Sequence, residues 1–154
     1  MRAQIGEESV IQANAQFWEQ MLAMTVEPIP GPREFHAAAG HLVGSVGLSG
    51  VWTGRIEVRL DGSLAREATA AMLMQPAEAV GEADTVDATK EIANMIAGVI
   101  KSCLPRPCAM TVPAASVEME AFTSAAPGDD SLEVVFRHDS GDLMVRVWEQ
   151  ECLQ

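Results

Sequence analysis

The sequence predicts an α+β fold in which helices pack on one face of an antiparallel sheet. Helical periodicity recurs in three stretches, strict two-residue alternation marks one strand near the middle, and the last third contains only strand signals. Because strands and helices do not alternate strictly along the chain, the pattern favours an antiparallel sheet over a parallel one. We expect residues 1–154 to form a single domain, since this length suits one hydrophobic core.

The first part of the chain predicts a helix followed by a β-hairpin. Apolar residues recur at helical spacing between residues 8 and 25, and the EPIPGP that follows cannot continue a helix. The segment HLVGSVGLSG is typical of a glycine-rich strand that enters a turn. In VWTGRIEVRL, residues 51–60, apolar and polar side chains alternate, which predicts a strand with one buried face.

Two further helices are predicted in the centre of the chain. After the turn DGS, Ser63 is expected to cap a helix over LAREATAAMLM that ends before the next proline. Either Asp84 or Thr85 can cap the second helix. It is expected to continue to about Cys103, where two prolines follow.

The final third predicts three strands. SVEMEAF alternates, and SLEVVFRH and GDLMVRVWEQ flank DSGD, a short turn signal with a glycine. The expected order is therefore one helix, a hairpin, two helices and three strands.

Composition excludes several classes of partner. The net charge is −12, from 22 acidic and 10 basic residues, and a chain this acidic repels phosphate groups. No apolar run reaches about 18 residues, and the first residues lack the layout of a secretory signal. Three cysteines without a CxxC pair favour a reducing compartment. We therefore expect a cytoplasmic protein that binds neither nucleic acid nor membrane.

One predicted helix, DATKEIANMIAGVIK, carries a polar line. Residues at steps of three and four lie along one side of a helix, and five polar or small residues follow this spacing: Asp87, Glu91, Asn94, Gly98 and Lys101. A solvated face is the ordinary explanation of such a stripe. However, asparagine and glycine are poor helix formers, so an acid, an amide and a glycine on one line also suggest a working surface.

This helix resembles the signature helix of the CheC/CheX phosphatases of bacterial chemotaxis. In that helix an exposed acid and an asparagine stand in the pattern E-x-x-N, and a glycine often follows the same asparagine in the pattern N-x-x-x-G. Glu91, Asn94 and Gly98 match these positions. The hairpin before the first central helix of the family resembles LSGVWTGRIEVRLD in this chain. The strand region after the signature helix resembles CAMTVPAASVEME, and the closing hairpin resembles LEVVFRHDSGDLMVRVWE. The resemblance covers roughly residues 42–149 and implies a CheC/CheX-like fold.

The number of signature helices distinguishes the branches of this family. CheC proteins usually carry two, whereas the earlier helix here has Ala70 at the position where an asparagine would follow Glu67. The chain therefore resembles the CheX branch, which implies one site per chain. Flagellar-switch relatives of the same fold generally lack the signature and are disfavoured.

The resemblance implies a hydrolase that removes the aspartyl phosphate of a CheY-type response regulator. In this interpretation Asn94 orients the attacking water, and Glu91 engages the lysine beside the regulator's phosphorylation site. Gly98 is a possible position of close approach. No cofactor is expected in this chain, and Mg²⁺ is expected on the partner regulator. The family also implies a homodimer joined through sheet edges, which are ready pairing surfaces.

Other functions have less support. A non-catalytic module of the same fold, binding a receiver domain or a flagellar component, is the main alternative, and the intact Glu91/Asn94 pair favours catalysis over it. No convergent polar cluster indicates a small-molecule site. His36 and His41 lie five positions apart without an evident third ligand, so no metal site is expected.

Overall fold

A computed structural model describes residues 6–29, 34–124 and 131–150 of the chain. Within these ranges the helices are α1 (Glu7–Leu22), α2 (Gly62–Leu73) and α3 (Glu82–Lys101), and a short 3₁₀ turn covers Ala77–Ala79. The strands are β1 (Glu27–Pro28), β2 (His36–Ala37), β3 (His41–Gly50), β4 (Gly54–Leu60), β5 (Cys108–Met110), β6 (Ala114–Glu118), β7 (Phe122–Thr123), β8 (Ser131–His138) and β9 (Gly141–Glu149).

Seven of the described strands form one antiparallel sheet. Its order is β1-β8-β9-β4-β3, and β5 and β6 pair with different parts of β3 at the far edge. The register places Ile56 of β4 opposite Val147 of β9, and both are fully buried. Because side chains alternate between the two faces of a sheet, this register gives every central strand one continuous apolar face.

The three helices pack on that apolar face. Their buried side chains join those of the sheet in one core, whose largest members include Trp18, Leu64, Ile92 and Ile96. Helix α3 crosses close to β3 because Gly44 leaves room. A Cβ atom at Gly44 would lie 3.0 Å from the Thr89 carbonyl oxygen. The predicted α+β class, with helices on one face of an antiparallel sheet, is confirmed.

The opposite face of the sheet is partly covered by a second, two-stranded ribbon of β2 and β7. Beneath it, Val135 and Met144 are buried with Phe35 and Ala37 in a small separate apolar cluster. The ribbon also covers polar groups. The guanidinium carbon of Arg59 lies 3.8 Å from the centroid of the Phe122 ring, which belongs to the ribbon.

The first helix ends earlier than predicted. Ala23 adopts the left-handed conformation, with φ of 53°, and its N–H donates to the Glu19 carbonyl while that of Met24 donates to Trp18. These bonds satisfy the last carbonyls of α1 before the proline-rich segment begins. Part of EPIPGP, residues 30–32, lies outside the described residues.

The predicted caps of the central helices were wrong. Helix α2 begins after Asp61, and the Ser63 hydroxyl instead donates to the Ser140 carbonyl. Helix α3 begins at Glu82, two residues before the predicted caps. Asp84 acts from within the first turn, where its carboxylate accepts the Gly81 N–H at 3.0 Å. The helix ends at Lys101, because the chain turns before Cys103.

The strand predictions captured the long strands and missed the short ones. β3, β8 and β9 lie in the segments predicted as strands, whereas β4 begins at Gly54 and not at Val51, because residues 51–53 form the turn from β3. The strand in SVEMEAF ends at Glu118. β1, β2, β5 and β7 have two or three residues each, too few for a pattern. The single-domain prediction for residues 1–154 includes residues 1–5, 30–33, 125–130 and 151–154, which lie outside the described residues, and it stays a prediction.

Candidate functional site

The candidate site lies on the outward side of α3. The side of this helix that faces the sheet is apolar or small, and its buried residues are Thr85, Ala88, Thr89, Ile92, Ala93, Ile96, Ala97 and Ile100. On the other side Glu91 is exposed, and Asn94 and Gly98 are half-buried. Because the helical period places positions three and four apart on one line, burying one face of α3 turns these three residues outward together.

Glu91 and Asn94 project side by side. They are three positions apart, which corresponds to about 4.5 Å along the helix axis. Neither side chain has a hydrogen-bond or ion-pair partner among the described residues. Two buried hydroxyls earlier in the helix are engaged: the Thr85 hydroxyl donates to the Glu82 carbonyl at 2.6 Å and that of Thr89 to the Thr85 carbonyl at 2.7 Å. The acid and the amide are therefore both available to a partner molecule.

Gly98 has no packing role within the described structure. A Cβ atom added there would meet no heavy atom within 4 Å. Glycine in a helix interior costs about 1 kcal/mol relative to alanine, and no internal contact offsets that cost here. The gap at Gly98 is open to an approaching surface.

A shallow depression begins at Gly98 and continues past the end of α3. It has a volume of about 530 Å³ and is lined by Gly98, Lys101, Ser102, Arg106, Pro107 and Cys108. Lys101 was on the predicted polar line. Arg106 was missed, because it reaches this surface through an irregular turn after the helix that no periodicity reveals.

The earlier helix α2 offers no comparable pair. Its Glu67 carboxylate accepts a hydrogen bond of 2.5 Å from the Ser140 hydroxyl, so this acid is held within the chain. Ala70 occupies the position where an amide would be needed. Within the described ranges, the acid-amide arrangement three residues apart on an outward helix face is found on α3 and not on α2.

The described residues contain no group of three or more His, Cys, Asp or Glu side chains placed to hold a metal ion. His36 is exposed and lies 3.1 Å from the Thr123 hydroxyl, whereas His41 is buried with its Nε2 2.9 Å from an Arg59 nitrogen. None of the described helices is both long and apolar enough to cross a membrane.

Perturbed carboxyl groups lie away from α3. Burial raises the pKa of Glu133 on β8, against the opposing effects of Ser124 and Arg146. Burial and the neighbouring Asp61 raise the pKa of Asp142 on β9. The exposed side of α3 offers an acid and a neutral amide, which are suited to positioning and hydrogen bonding.

Comparison with known proteins points to one family. A family model described as chemotaxis phosphatase CheX matches residues 42–136, a range that contains all of α3. No curated protein sequence matches the chain significantly.

Solved structures show the same fold. The chemotaxis protein CheX from Vibrio vulnificus is 18% identical, with a TM-score of 0.77 over 97% of this chain and 100% of that chain. A CheC-like superfamily protein from Shewanella sp. PV-4 is 19% identical, with a TM-score of 0.76 over 98% and 100%. The CheX-CheY-BeF₃-Mg²⁺ complex from Borrelia burgdorferi matches with a TM-score of 0.69 at 20% identity, over 94% of this chain and 97% of that chain.

Proposed function

This chain belongs to the CheX family of chemotaxis phosphatases, and from that premise we propose that it hydrolyses the aspartyl phosphate of a CheY-type response regulator. The observation that carries the proposal is the position of Glu91 and Asn94, which point outward from α3 without partners among the described residues. The complex of a similar CheX protein with CheY supports a receiver domain as the partner.

An aspartyl phosphate is an acyl phosphate, and its hydrolysis needs little covalent help. The catalyst must place a water molecule in line with the leaving carboxylate oxygen and exclude unproductive geometries. Mg²⁺ held by the regulator's own acidic residues would supply charge neutralisation at the phosphoryl group. This chain then has to contribute only a positioning group and a means of docking.

Asn94 is suited to hold the attacking water. Its side-chain carbonyl accepts a hydrogen bond from the water, and its NH₂ group donates one. The amide is neutral, so it enters an anionic phosphoryl pocket without the repulsion that a carboxylate would meet. Its half-buried position on a rigid helix restricts its orientation, which favours a single water geometry.

Glu91 is suited to anchor the regulator. An exposed carboxylate without an internal partner forms a charge-assisted hydrogen bond with a lysine of the docking protein. Such a contact fixes the register of the two proteins. Because Glu91 precedes Asn94 by one helical turn, a lysine bound at Glu91 places the neighbouring phosphoryl group at the amide.

The assignment is tested with Asn94→Ala in a dephosphorylation assay, using a CheY-type regulator phosphorylated with acetyl phosphate. We expect kcat to fall by at least about 100-fold, because the water is no longer oriented, while the Kd for the phosphorylated regulator changes little. Gln20→Ala, which removes an exposed amide from α1, is the matched control and should retain activity. Full turnover by Asn94→Ala would refute the water-orienting role.

The same assay tests the anchor and the alternative function. Glu91→Lys should raise the Kd by about tenfold or more through like-charge contact with the regulator's lysine, and an unchanged Kd would refute the anchor. Binding of phosphorylated regulator by the unsubstituted chain without faster hydrolysis would favour a non-catalytic module that binds a receiver domain or a flagellar component.

A homodimer joined through sheet edges is part of the proposal. Strand β6 pairs with β3 on one side, and in the described residues no strand pairs with its other side. An unpaired edge readily accepts a strand from a second copy. Light scattering should give a mass near twice 16.4 kDa, and a monomeric mass at the concentrations used in the assay would contradict this part.

A further inference from the structure

We propose that Lys101 and Arg106 form a cationic seat for an acidic side chain on the response regulator, separate from the phosphoryl group. This inference rests on the proposed function and adds a second docking contact to it. Both residues line the depression of about 530 Å³ that begins at Gly98.

The seat is open toward the same side as the catalytic pair. Lys101 follows Asn94 by seven residues, two helical turns, and therefore lies on the same line of α3. The added Cβ at Gly98 would meet nothing within 4 Å, so the surface between Asn94 and Lys101 is open at this position. A regulator docked over Asn94 would continue over the seat.

The turn that carries Arg106 is held in place. The Pro107 carbonyl accepts the Val51 N–H at 3.0 Å, and the Cys108 thiol lies 3.6 Å from the Trp52 carbonyl. Gly50 permits this close approach, since a Cβ there would lie 2.3 Å from the Pro107 oxygen. The backbone of the seat is therefore pre-formed, which lowers the entropic cost of binding.

The side chains of Lys101 and Arg106 are unpaired in a chain with a net charge of −12. Neither the Lys101 nor the Arg106 side chain has an ion-pair or hydrogen-bond partner in residues 6–29, 34–124 and 131–150. Among the other described basic residues, Arg59 lies 3.1 Å from Glu57 and Arg66 donates to the Val80 carbonyl. The side chains of Arg55 and Lys90 are without such partners as well, but neither lines the depression. Lys101 also suits the negative end of the helix dipole, but Arg106 lies beyond the helix and has no such explanation.

The separation between Asn94 and Lys101 bears on which group the seat binds. Lys101 lies about 10 Å along the helix axis from Asn94, whereas the phosphoryl group must lie within hydrogen-bond reach of a water held at Asn94. With this separation along the backbone, we assign the seat to a separate anion on the regulator. Glu91 engages a cation on the other side of Asn94, and the resulting order of acid, amide and cations opposes docking in the reversed direction.

The test compares charge reversals at and away from the seat. Lys101→Glu and Arg106→Glu should each raise KM for the phosphorylated regulator roughly fivefold, leave kcat within about twofold, and weaken the salt dependence of KM. Arg55→Glu is the matched control. It makes the same change of charge on an exposed arginine of β4, on the sheet face opposite the helices, and should leave KM unchanged.

Further measurements separate the possible outcomes. Thermal unfolding checks that each variant folds, and Lys101→Gln provides a milder substitution that should raise KM about twofold. A lysine placed at a regulator acid about 10 Å from the phosphorylation site should restore the KM of Lys101→Glu. Unchanged KM values in folded, active variants would overturn the seat alone. If the unsubstituted chain hydrolyses no regulator phosphate, the proposed function itself fails and the seat with it.

Discussion

At the scale of single residues, two glycines at α3 show the difference between packing and function. Gly44 of β3 lies beneath the helix, where an added Cβ would be 3.0 Å from the Thr89 carbonyl oxygen and from the Ala93 Cβ. Gly98 lies on the outer side, where an added Cβ would meet nothing. The first glycine is explained by the fold. The second has no explanation inside the described structure and is understood best as space left for a partner.

Gly98→Ala should therefore stabilise the chain and impair its function. We expect the free energy of unfolding to rise by about 1 kcal/mol, because alanine is the better helix former, while kcat/KM for the phosphorylated regulator falls several-fold. Gly44→Ala is the control, since the same change should destabilise the fold by about 1–3 kcal/mol through overpacking. Urea denaturation and the phosphatase assay measure both effects. A Gly98→Ala variant with unimpaired activity would show that the gap is not used.

At the scale of elements, α3 shows how far periodicity can be trusted. The sequence predicted which side of the helix is buried and that Glu91, Asn94 and Gly98 share the other side, because these follow from the helical repeat alone. It did not predict where the helix begins. The start of the helix depends on one hydrogen bond, from the Gly81 N–H to the Asp84 carboxylate. Several residues near this point of the sequence could serve equally well as the acceptor. Nor could it place Arg106, whose position depends on contacts with the distant β3–β4 turn.

Asp84→Ala tests the observed start of α3. Loss of the carboxylate leaves the Gly81 N–H without its acceptor and removes a negative charge from the first turn. We expect a loss of about 1 kcal/mol in the free energy of unfolding. Because Asp84 lies seven residues, about 10 Å, before Glu91, kcat/KM should stay unchanged. A fall in activity without a fall in stability would mean that Asp84 belongs to the docking surface.

At the scale of the whole molecule, the sheet has two different faces. The face under the helices was predictable from β4, whose apolar and polar residues alternate and whose register aligns them with β3 and β9. The other face was not, because its burial comes from the β2–β7 ribbon and from side chains that meet across strands. Glu133 is the clearest case. Its side chain is only 6% exposed and lies 3.8 Å from the Arg146 guanidinium, and Ser124 and Glu57 are its other polar neighbours.

This burial gives the fold a pH dependence of defined sign. Burial raises the pKa of Glu133 in the folded chain, so the folded state binds that proton more tightly than the unfolded state. Ionised Glu133 therefore opposes folding at pH above its folded pKa, and the opposition is relieved as the pH falls through that value. Glu133→Gln lacks this titration.

We expect the stability of Glu133→Gln relative to the unsubstituted chain to be greatest near pH 8 and to decline as the pH is lowered toward 5. Urea denaturation of both proteins across this range measures the difference. Asp142, whose pKa is raised in the same direction, is present in both proteins and does not contribute to the difference. A difference independent of pH would contradict the argument.

The β2–β7 ribbon has a consequence for the order in which the molecule assembles. It joins His36 to Thr123, 87 positions apart, so it encloses most of the chain, α3 included. The pairing of β3 with β6, from His41 opposite Glu118, already closes most of that loop, and the ribbon adds only two residue pairs beyond it. The ribbon should be among the last parts to form and the first to open, and hydrogen-deuterium exchange should find its amides unprotected long before those of β4 and β9.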